Sequence, residues 1–308
     1  WLRSTPTAKF SKEVRLAMKV DKLRTVIIYI IIILLGLVCL LPLLNIVAIS
    51  FSSSAAVEGN MVGLIPVGFS TAAYKKILED SQFWHSFLIS VERVVLALII
   101  NFVLIVLMAY PLSKTNAQFR GRNIYANLMI FAMLFNGGMI PTFLVVKSYG
   151  LLNTVWALVL PGAVPIFNVI LVMNFFAAVP KELEEAAFID GANPFQVLTK
   201  IFIPISKPVL ATVSLFSIVG SWNDFYSGLI YMSKAAYYPL MTYIQSLQIN
   251  VEDLIKQGNL SAVVDSASLG NTNLNAAKIV IAVIPLLLIY PLLQRYFVSG
   301  IVVGSVKG

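Results

Sequence analysis

Residues Thr25–Ile49 run for 25 residues without a single charge. A helix of that length rises about 37 Å, more than the roughly 30 Å of a bilayer's hydrocarbon core. Further apolar stretches follow at Phe83–Leu112, Asn123–Val146, Leu151–Val179 and Val209–Tyr231, with a shorter one at Ile279–Gln294. The chain is 59% apolar and only 12% charged, against roughly 25% charged for a soluble domain. An ordinary core cannot hide that much apolar surface, so lipid must be the solvent. The expectation is an all-α polytopic membrane protein with six transmembrane helices.

The net charge of +8 does not point to nucleic acid, because most of the excess lies in the first two dozen residues, directly before an apolar run. That is the pattern of a cytoplasmic flank. The first apolar run is too long for a cleavable signal peptide and lacks a small-residue cleavage pattern. The lone cysteine, Cys39, excludes an intrachain disulfide, and no metal-ligand cluster is visible. With six spans, the N-terminal flank, the 113–122 loop, the 181–208 segment and the tail share one side. They hold fifteen Lys and Arg, against six on the other side, with Arg93 inside a span. The positive-inside rule puts both termini in the cytoplasm of a multi-pass protein.

Several spans carry groups that lipid does not favour. Glu92 and Arg93 lie inside the second, where charges face a bundle interior or a water-filled cavity. They read either as groups satisfied by neighbouring helices or as contacts to a substrate or partner. His85 reads as an interfacial residue. Asn136-Gly137-Gly138 and Pro141 fall within the third span, and Pro161-Gly162 and Pro165 interrupt the fourth. Such breaks either line a cavity or are plain kinks. The fifth carries Trp222, Asn223, Asp224 and Tyr226, which combine aromatic faces with fixed polar groups, as sugar recognition requires. Asn168 and Asn174 are further substrate-path candidates, with interhelical hydrogen bonding as the alternative for all three Asn.

Lys181–Pro208 is a polar island, KELEEAAFIDGANPFQVLTKIFIPISKP. Pro180 suits a helix N1 position, and Glu182, Glu184 and Glu185 suit the positive end of the helix dipole. Gly191 is placed to end that helix in a left-handed conformation. Asn193-Pro194 restarts a helix as N-cap and N1, Ile203-Pro204 stops it, and Ser206 is positioned to cap the next. On shape alone this is any interfacial helical loop.

The spacing of its residues is more specific. Glu185-Ala186-Ala187, then Gly191, Ile201, Ile203 and Pro204 resemble the EAA loop of binding-protein-dependent ABC importers, with Ile203 as the one departure. Pro141-Thr142, Gly150–Thr154, Pro161–Pro165, Trp222-Asn223-Asp224 and the closing Gln294–Phe297 and Val306-Lys307-Gly308 extend the similarity to the permeases of the maltose-type carbohydrate family. Within that family the chain is most similar to permeases for oligosaccharides and polysaccharide fragments. The resemblance covers about residues 83–308.

It implies the type I ABC importer permease fold. It also implies a cytoplasmic flank at 1–24, a permease domain at 25–298 and a cytoplasmic tail at 299–308. The permease domain would include the coupling loop 181–208 and the external loop 232–277. The coupling residues would be Glu182, Glu185, Ala186, Ala187, Asp190, Gly191, Ile201 and Pro204. Implied partners are a second permease, two ATP-binding subunits that hold ATP and Mg, an external solute-binding protein and a carbohydrate. The 232–277 loop would insert into the binding protein and the tail would reach between the ATPases. The chain lacks a phosphate-cradling Gly-rich loop with Lys-Ser/Thr, so it is not expected to hydrolyse ATP or to carry a cofactor. The competing reading is an ion-coupled carrier or channel, which would show mid-membrane ionisable groups and internal repeats. Only Glu92, Arg93 and Asp224 are of that kind, and no repeat is visible. One His and one Cys are too little for a membrane enzyme.

Overall fold

The computed structural model describes residues 6–247 and 272–304, and within them it is helical without strands. Most of the expected external loop, at 248–271, and the last four residues lie outside the described residues. The chain divides into two compact units.

The first unit comprises residues 1–75 and 271–280. Helix α1 (Pro6–Ser50) continues through residue 24 without a break, so the flank and the first span are one helix. Residues 24–44 of it are exposed throughout, and burial begins only near its end, at Ala48 and Ser50. Past α1 the chain folds back. Phe51 stacks on Phe69 and Tyr74, with centroids 5.7 and 4.7 Å away, and Ser50 Oγ lies 2.9 Å from Tyr74 Oη. Ser52 Oγ donates to the Ala48 carbonyl at 2.7 Å and accepts from Val67 N at 3.0 Å. Helices α2 (Ser54–Glu58) and α3 (Ala72–Glu79) are short.

The second unit, residues 76–270 and 281–308, is built on α4 (Ser81–Leu112). Asp80 caps its start by accepting from Phe83 N at 2.9 Å. Its buried face reads Ser86, Ser90, Arg93, Ala97, Asn101, Ile105 and Ala109, at steps of three and four. The opposite face exposes Val95, Ile99, Val103 and Leu107. Between Ser86 and Asn101 the inward face is largely small or polar, and from Ile105 to Leu112 it is apolar, while the outer face stays apolar, which suits a helix whose outer solvent is lipid.

The third apolar stretch is not one straight helix. It forms α5 (Arg122–Leu134) and α6 (Met139–Ser148), with axes bent by 111°. Gly138 sits at φ +89 and its N–H donates to Asn136 Oδ1 at 2.9 Å, so this Asn-Gly-Gly turn ends α5. The fourth stretch is broken where Pro161, Gly162 and Pro165 predicted. Helix α7 (Val155–Val159) and a 3₁₀ turn (Leu160–Gly162) meet α8 (Ile166–Ala177) at 48°.

The polar island gives α9 (Lys181–Ile189) and α10 (Pro194–Val197). The latter continues through a π turn (Leu198–Phe202) into α11 (Ile203–Ile205). Helix α12 (Lys207–Asn223) follows after an 84° bend, then α13 (Tyr226–Tyr231) and finally α14 (Thr272–Gly304). Helix α12 ends at Asn223, shorter than the fifth span expected from sequence. Ile105, Val106 and Ala109 of α4, Val169, Val172 and Phe176 of α8, Val197 and Phe202, and Val209 and Val213 of α12 form one buried cluster. In lipid, close van der Waals packing of this kind holds helices together.

Candidate functional site

Helix α9 ends in a complete Schellman arrangement. Ala192 N donates to the Ala187 carbonyl at 2.9 Å and Gly191 N to the Phe188 carbonyl at 3.1 Å. This requires the residue after the cap to be left-handed, and Gly191 has φ +80. Asn193 then caps α10 with a reciprocal box: its Oδ1 accepts from Gln196 N at 2.9 Å, and Gln196 Oε1 accepts from Asn193 N at 3.0 Å. Pro180 is the N-cap of α9 rather than N1.

Pro204 does not stop the helix. It lacks the N–H that the Lys200 carbonyl would use, and its ring crowds that carbonyl. The turn loosens to π geometry at Leu198–Phe202 and helix resumes to Ile205. Ser206 supplies no side-chain cap: its Oγ is buried and without a partner, and only its carbonyl begins α12, accepting from Leu210 N at 3.0 Å.

Of the predicted coupling residues, Glu182, Glu185, Ala186, Asp190, Gly191 and Pro204 are exposed, while Ala187 and Ile201 turn inward against the cluster. Beside the exposed ones stand Leu183, Phe188, Ile189 and Phe195, with Ile189 86% exposed. Four large apolar side chains on an otherwise polar element mark a contact surface.

Glu184, which the motif does not single out, is the one buried residue of α9. Lys114 Nζ lies 2.7 Å from its Oε1, and both side chains are 11% exposed. The same ammonium is 4.1 Å from the Tyr110 ring and 4.2 Å from the Phe202 ring. Burial lowers the Lys114 pKa, and the Glu184 bond and charge offset this only in part.

A second feature is a polar cavity of about 240 Å³ between α4, the α7–α8 break and α12. Arg93 and Asn101, Pro161 and Gly162, Asn168, and Ser217 and Asp224 lie on its wall. Arg93 is buried and donates from Nη1 to the Asp224 carbonyl at 2.9 Å, while Nη2 pairs with the Asp224 carboxylate. That carboxylate also accepts from Ser227 N at 3.1 Å and Ser227 Oγ at 2.6 Å. Asn101 contacts Ser217 Oγ at 3.2 Å. Arg93 Nε has no partner.

Of the substrate-path candidates, Asp224 and Asn168 line this cavity and the other four do not. Trp222 is buried, donates from Nε1 to the Ala282 carbonyl at 3.0 Å and meets the Phe87 ring edge-on at 5.7 Å. Asn223, Tyr226 and Asn174 are exposed, and Tyr226 Oη lies 3.1 Å from Met139 Sδ. Arg93 and Glu92 separate by one helical step. Glu92 turns with His85 toward a different cavity of about 210 Å³, shared with Asn153 and Tyr237. Among the described residues no group of three or more His, Cys, Asp or Glu is placed to hold a metal ion.

A family model for the binding-protein-dependent transport system inner membrane component matches residues 65–303. The chain is 41% identical over 273 residues to Protein LplC of Bacillus subtilis (strain 168), covering 89% of this chain and 91% of that one. It is 39% identical over 288 residues to the polygalacturonan/rhamnogalacturonan transport system permease protein YtcP of the same organism, covering 94% and 99%. In fold it is similar to a chain of a bacterial ABC transporter involved in the import of the acidic polysaccharide alginate. There the TM-score is 0.79 and the identity 32%, with 90% of this chain and 97% of that one covered.

Proposed function

This chain belongs to the family of binding-protein-dependent transport system inner membrane components, and from that premise we propose that it is one permease of a carbohydrate importer driven by cytoplasmic ATPases. Its cargo is an oligosaccharide or polysaccharide fragment. The relatives named for polygalacturonan/rhamnogalacturonan transport and alginate import support that class. The chain itself is a transport subunit. A second permease completes the path, a solute-binding protein delivers the sugar, and ATP and Mg reside on two partner subunits. The chain crosses the membrane six times, with both termini and the 181–208 loop in the cytoplasm. The segments are a flank at 1–24, the permease domain at 25–298 and a tail at 299–308.

One observation carries the coupling role: the exposed apolar group of Leu183, Phe188, Ile189 and Phe195 beside Glu182 and Glu185, on two helices fixed by Gly191 and the Asn193 box. A surface of that composition at the cytoplasmic side calls for a protein partner, and the EAA spacing makes that partner the ATPase. Helices are stiff, so closure of the ATPases moves α9 and α10 as a body and rocks the attached spans between two states. The polar cavity at Arg93, Asn101, Asn168 and Asp224 is the segment of the sugar path contributed by this chain. Its mixed donors and acceptors suit hydroxyl groups.

The test is uptake by the reconstituted complex with its ATPases, partner permease and binding protein, across neutral and uronic-acid oligosaccharides. Glu185→Lys and Gly191→Val should depress sugar-stimulated ATP hydrolysis while the binding protein still docks. Normal stimulation and uptake in both variants would reduce Lys181–Pro208 to a connecting loop.

A further inference from the structure

We propose that Lys114 is a positioning residue for energy coupling, a charged joint that fastens the first turn of α9 to the end of α4. The proposal rests on the reading of α9 and α10 as the ATPase-docking element. Helix α9 has nine residues, and the only one it buries is Glu184. Besides the half-buried Ala187, which packs on the apolar cluster, the contacts of Glu184 are what fasten so short a helix to the bundle. Here the contact is an ion pair across 70 positions of sequence.

The joint is reinforced from four directions. Lys114 follows the C-terminal end of α4, where exposed carbonyls favour a cation, and Glu184 lies in the first turn of α9, where free N–H groups favour an anion. Each charge is therefore stabilised by its own helix as well as by its partner. Tyr110 and Phe202 place ring faces on the ammonium at 4.1 and 4.2 Å, which adds cation–π attraction. Phe202 in turn meets Phe176 of α8 edge-on at 5.4 Å. One ammonium thus ties α4, α9, the π turn before Pro204 and, through Phe202, α8. Chain connectivity alone joins α9 to α8 and α10 but never to α4. Lys114 gives displacement of α9 a direct polar link to the helix that carries Arg93 and Asn101, beside the apolar contact of Ala187 with the cluster.

The experiment uses the full complex in proteoliposomes and reads three quantities: copurification of the ATPase subunit, stimulation of hydrolysis by loaded binding protein, and uptake. Lys114→Met keeps the stem and removes the charge. The expected result is intact copurification with stimulation and uptake reduced about tenfold, and Lys114→Arg restored to near the original level. If Lys114→Met does not assemble, Glu184→Gln, which keeps the side-chain shape, is read by the same criteria. Normal stimulation in the charge-removed variant would overturn the proposal. So would failure of both charge-removed variants to assemble, because that marks a purely structural pair. Gly191→Val, measured alongside, separates the two ideas. If Gly191→Val uncouples and Lys114→Met does not, the joint is wrong and the docking reading stands. If neither does, the docking reading fails first.

Discussion

A lysine wedged between two rings and a carboxylate loses its proton more readily than one in water when desolvation outweighs the attraction. Lys114 is in that position: its pKa is lowered from 10.5, with burial as the leading cause. The titratable groups facing it are Glu184 from α9 and Tyr110 from its own helix. In the window between its folded value and 10.5 the unfolded chain binds the extra proton, so this group adds stability as pH rises. Coupling should move the opposite way, because the joint loses its charge. The prediction is a fall in sugar-stimulated hydrolysis below the ordinary lysine range, without a matching loss of thermal stability from this group. In Lys114→Arg the fall should shift to higher pH, since a guanidinium stays protonated. Identical pH profiles for the two proteins would exclude Lys114 ionisation as the cause. Gly191 poses a different single-residue test. A Cβ there meets nothing within 4 Å, so the whole cost of substitution is the left-handed backbone, about 1 kcal/mol for an unbranched side chain. Asn tolerates that region and a β-branched residue does not. Uptake should therefore rank Gly191→Asn above Gly191→Ala above Gly191→Val at equal expression, and an inverted order would remove the conformational argument.

Elements that were legible in sequence announce themselves locally. The ends of α4, the restart at Asn193-Pro194, the turn at Gly191 and the break at Pro161 and Pro165 each depend on residues within a few positions of one another. What was not legible depends on partners far away. Lys114 with Glu184 and Arg93 with Asp224 are separated by 70 and 131 positions, and no spacing rule connects them. An apolar run does not reveal which face of α12 meets α14, so the burial of Trp222 against Ala282 has no sequence signal. The inward face of α4 carried a usable signal, a run of Ser, Ala and Asn at helical steps. The 111° bend at Asn136–Gly138 lay in plain residues but was masked by the apolar length on both sides. Two predictions belong to this scale. Arg93→Met would strand the Asp224 carboxylate, costing about 3 kcal/mol, the low end for a broken buried pair because Asp224 keeps its Ser227 bonds and some solvent. The Arg93→Met/Asp224→Asn double variant should recover part of that in a thermal melt of the solubilised complex. Gly228 in α13 packs on Thr242, whose Oγ1 donates to the Phe225 carbonyl at 2.8 Å. A Cβ at 228 would lie 2.8 Å from Thr242 Cβ and Cγ2. Gly228→Ala should therefore destabilise by about 1–3 kcal/mol through overpacking, and an unchanged melting temperature would show that this contact yields easily.

At the scale of the molecule, large apolar side chains lie on the outside as well as in the buried cluster, and the charged pairs Arg93–Asp224 and Lys114–Glu184 lie inside. Residues 24–44 of α1 are exposed on every side, which in water would be untenable and in lipid is not. The direction of the chain through the bilayer then decides whether the coupling surface can meet an ATPase at all. It rests on fifteen Lys and Arg on one side against six on the other, a bias that the positive-inside rule converts to orientation. The 113–122 loop and the 181–208 island must also share a side, because Lys114 and Glu184 are in contact. Two exposed positions separate the alternatives: Lys76 in α3 and Asn116 after α4. In a Cys39→Ser background, an impermeant thiol reagent added to intact cells should label Lys76→Cys and leave Asn116→Cys unlabelled until the membrane is opened. The contact with Glu184 extends the result: whichever side labels Asn116→Cys must also label Asp190→Cys, an exposed residue of the island. Labelling of Asn116→Cys and Asp190→Cys from outside would invert the orientation and leave the docking surface without access to ATP-driven partners. Labelling of only one of them would contradict the Lys114–Glu184 contact itself.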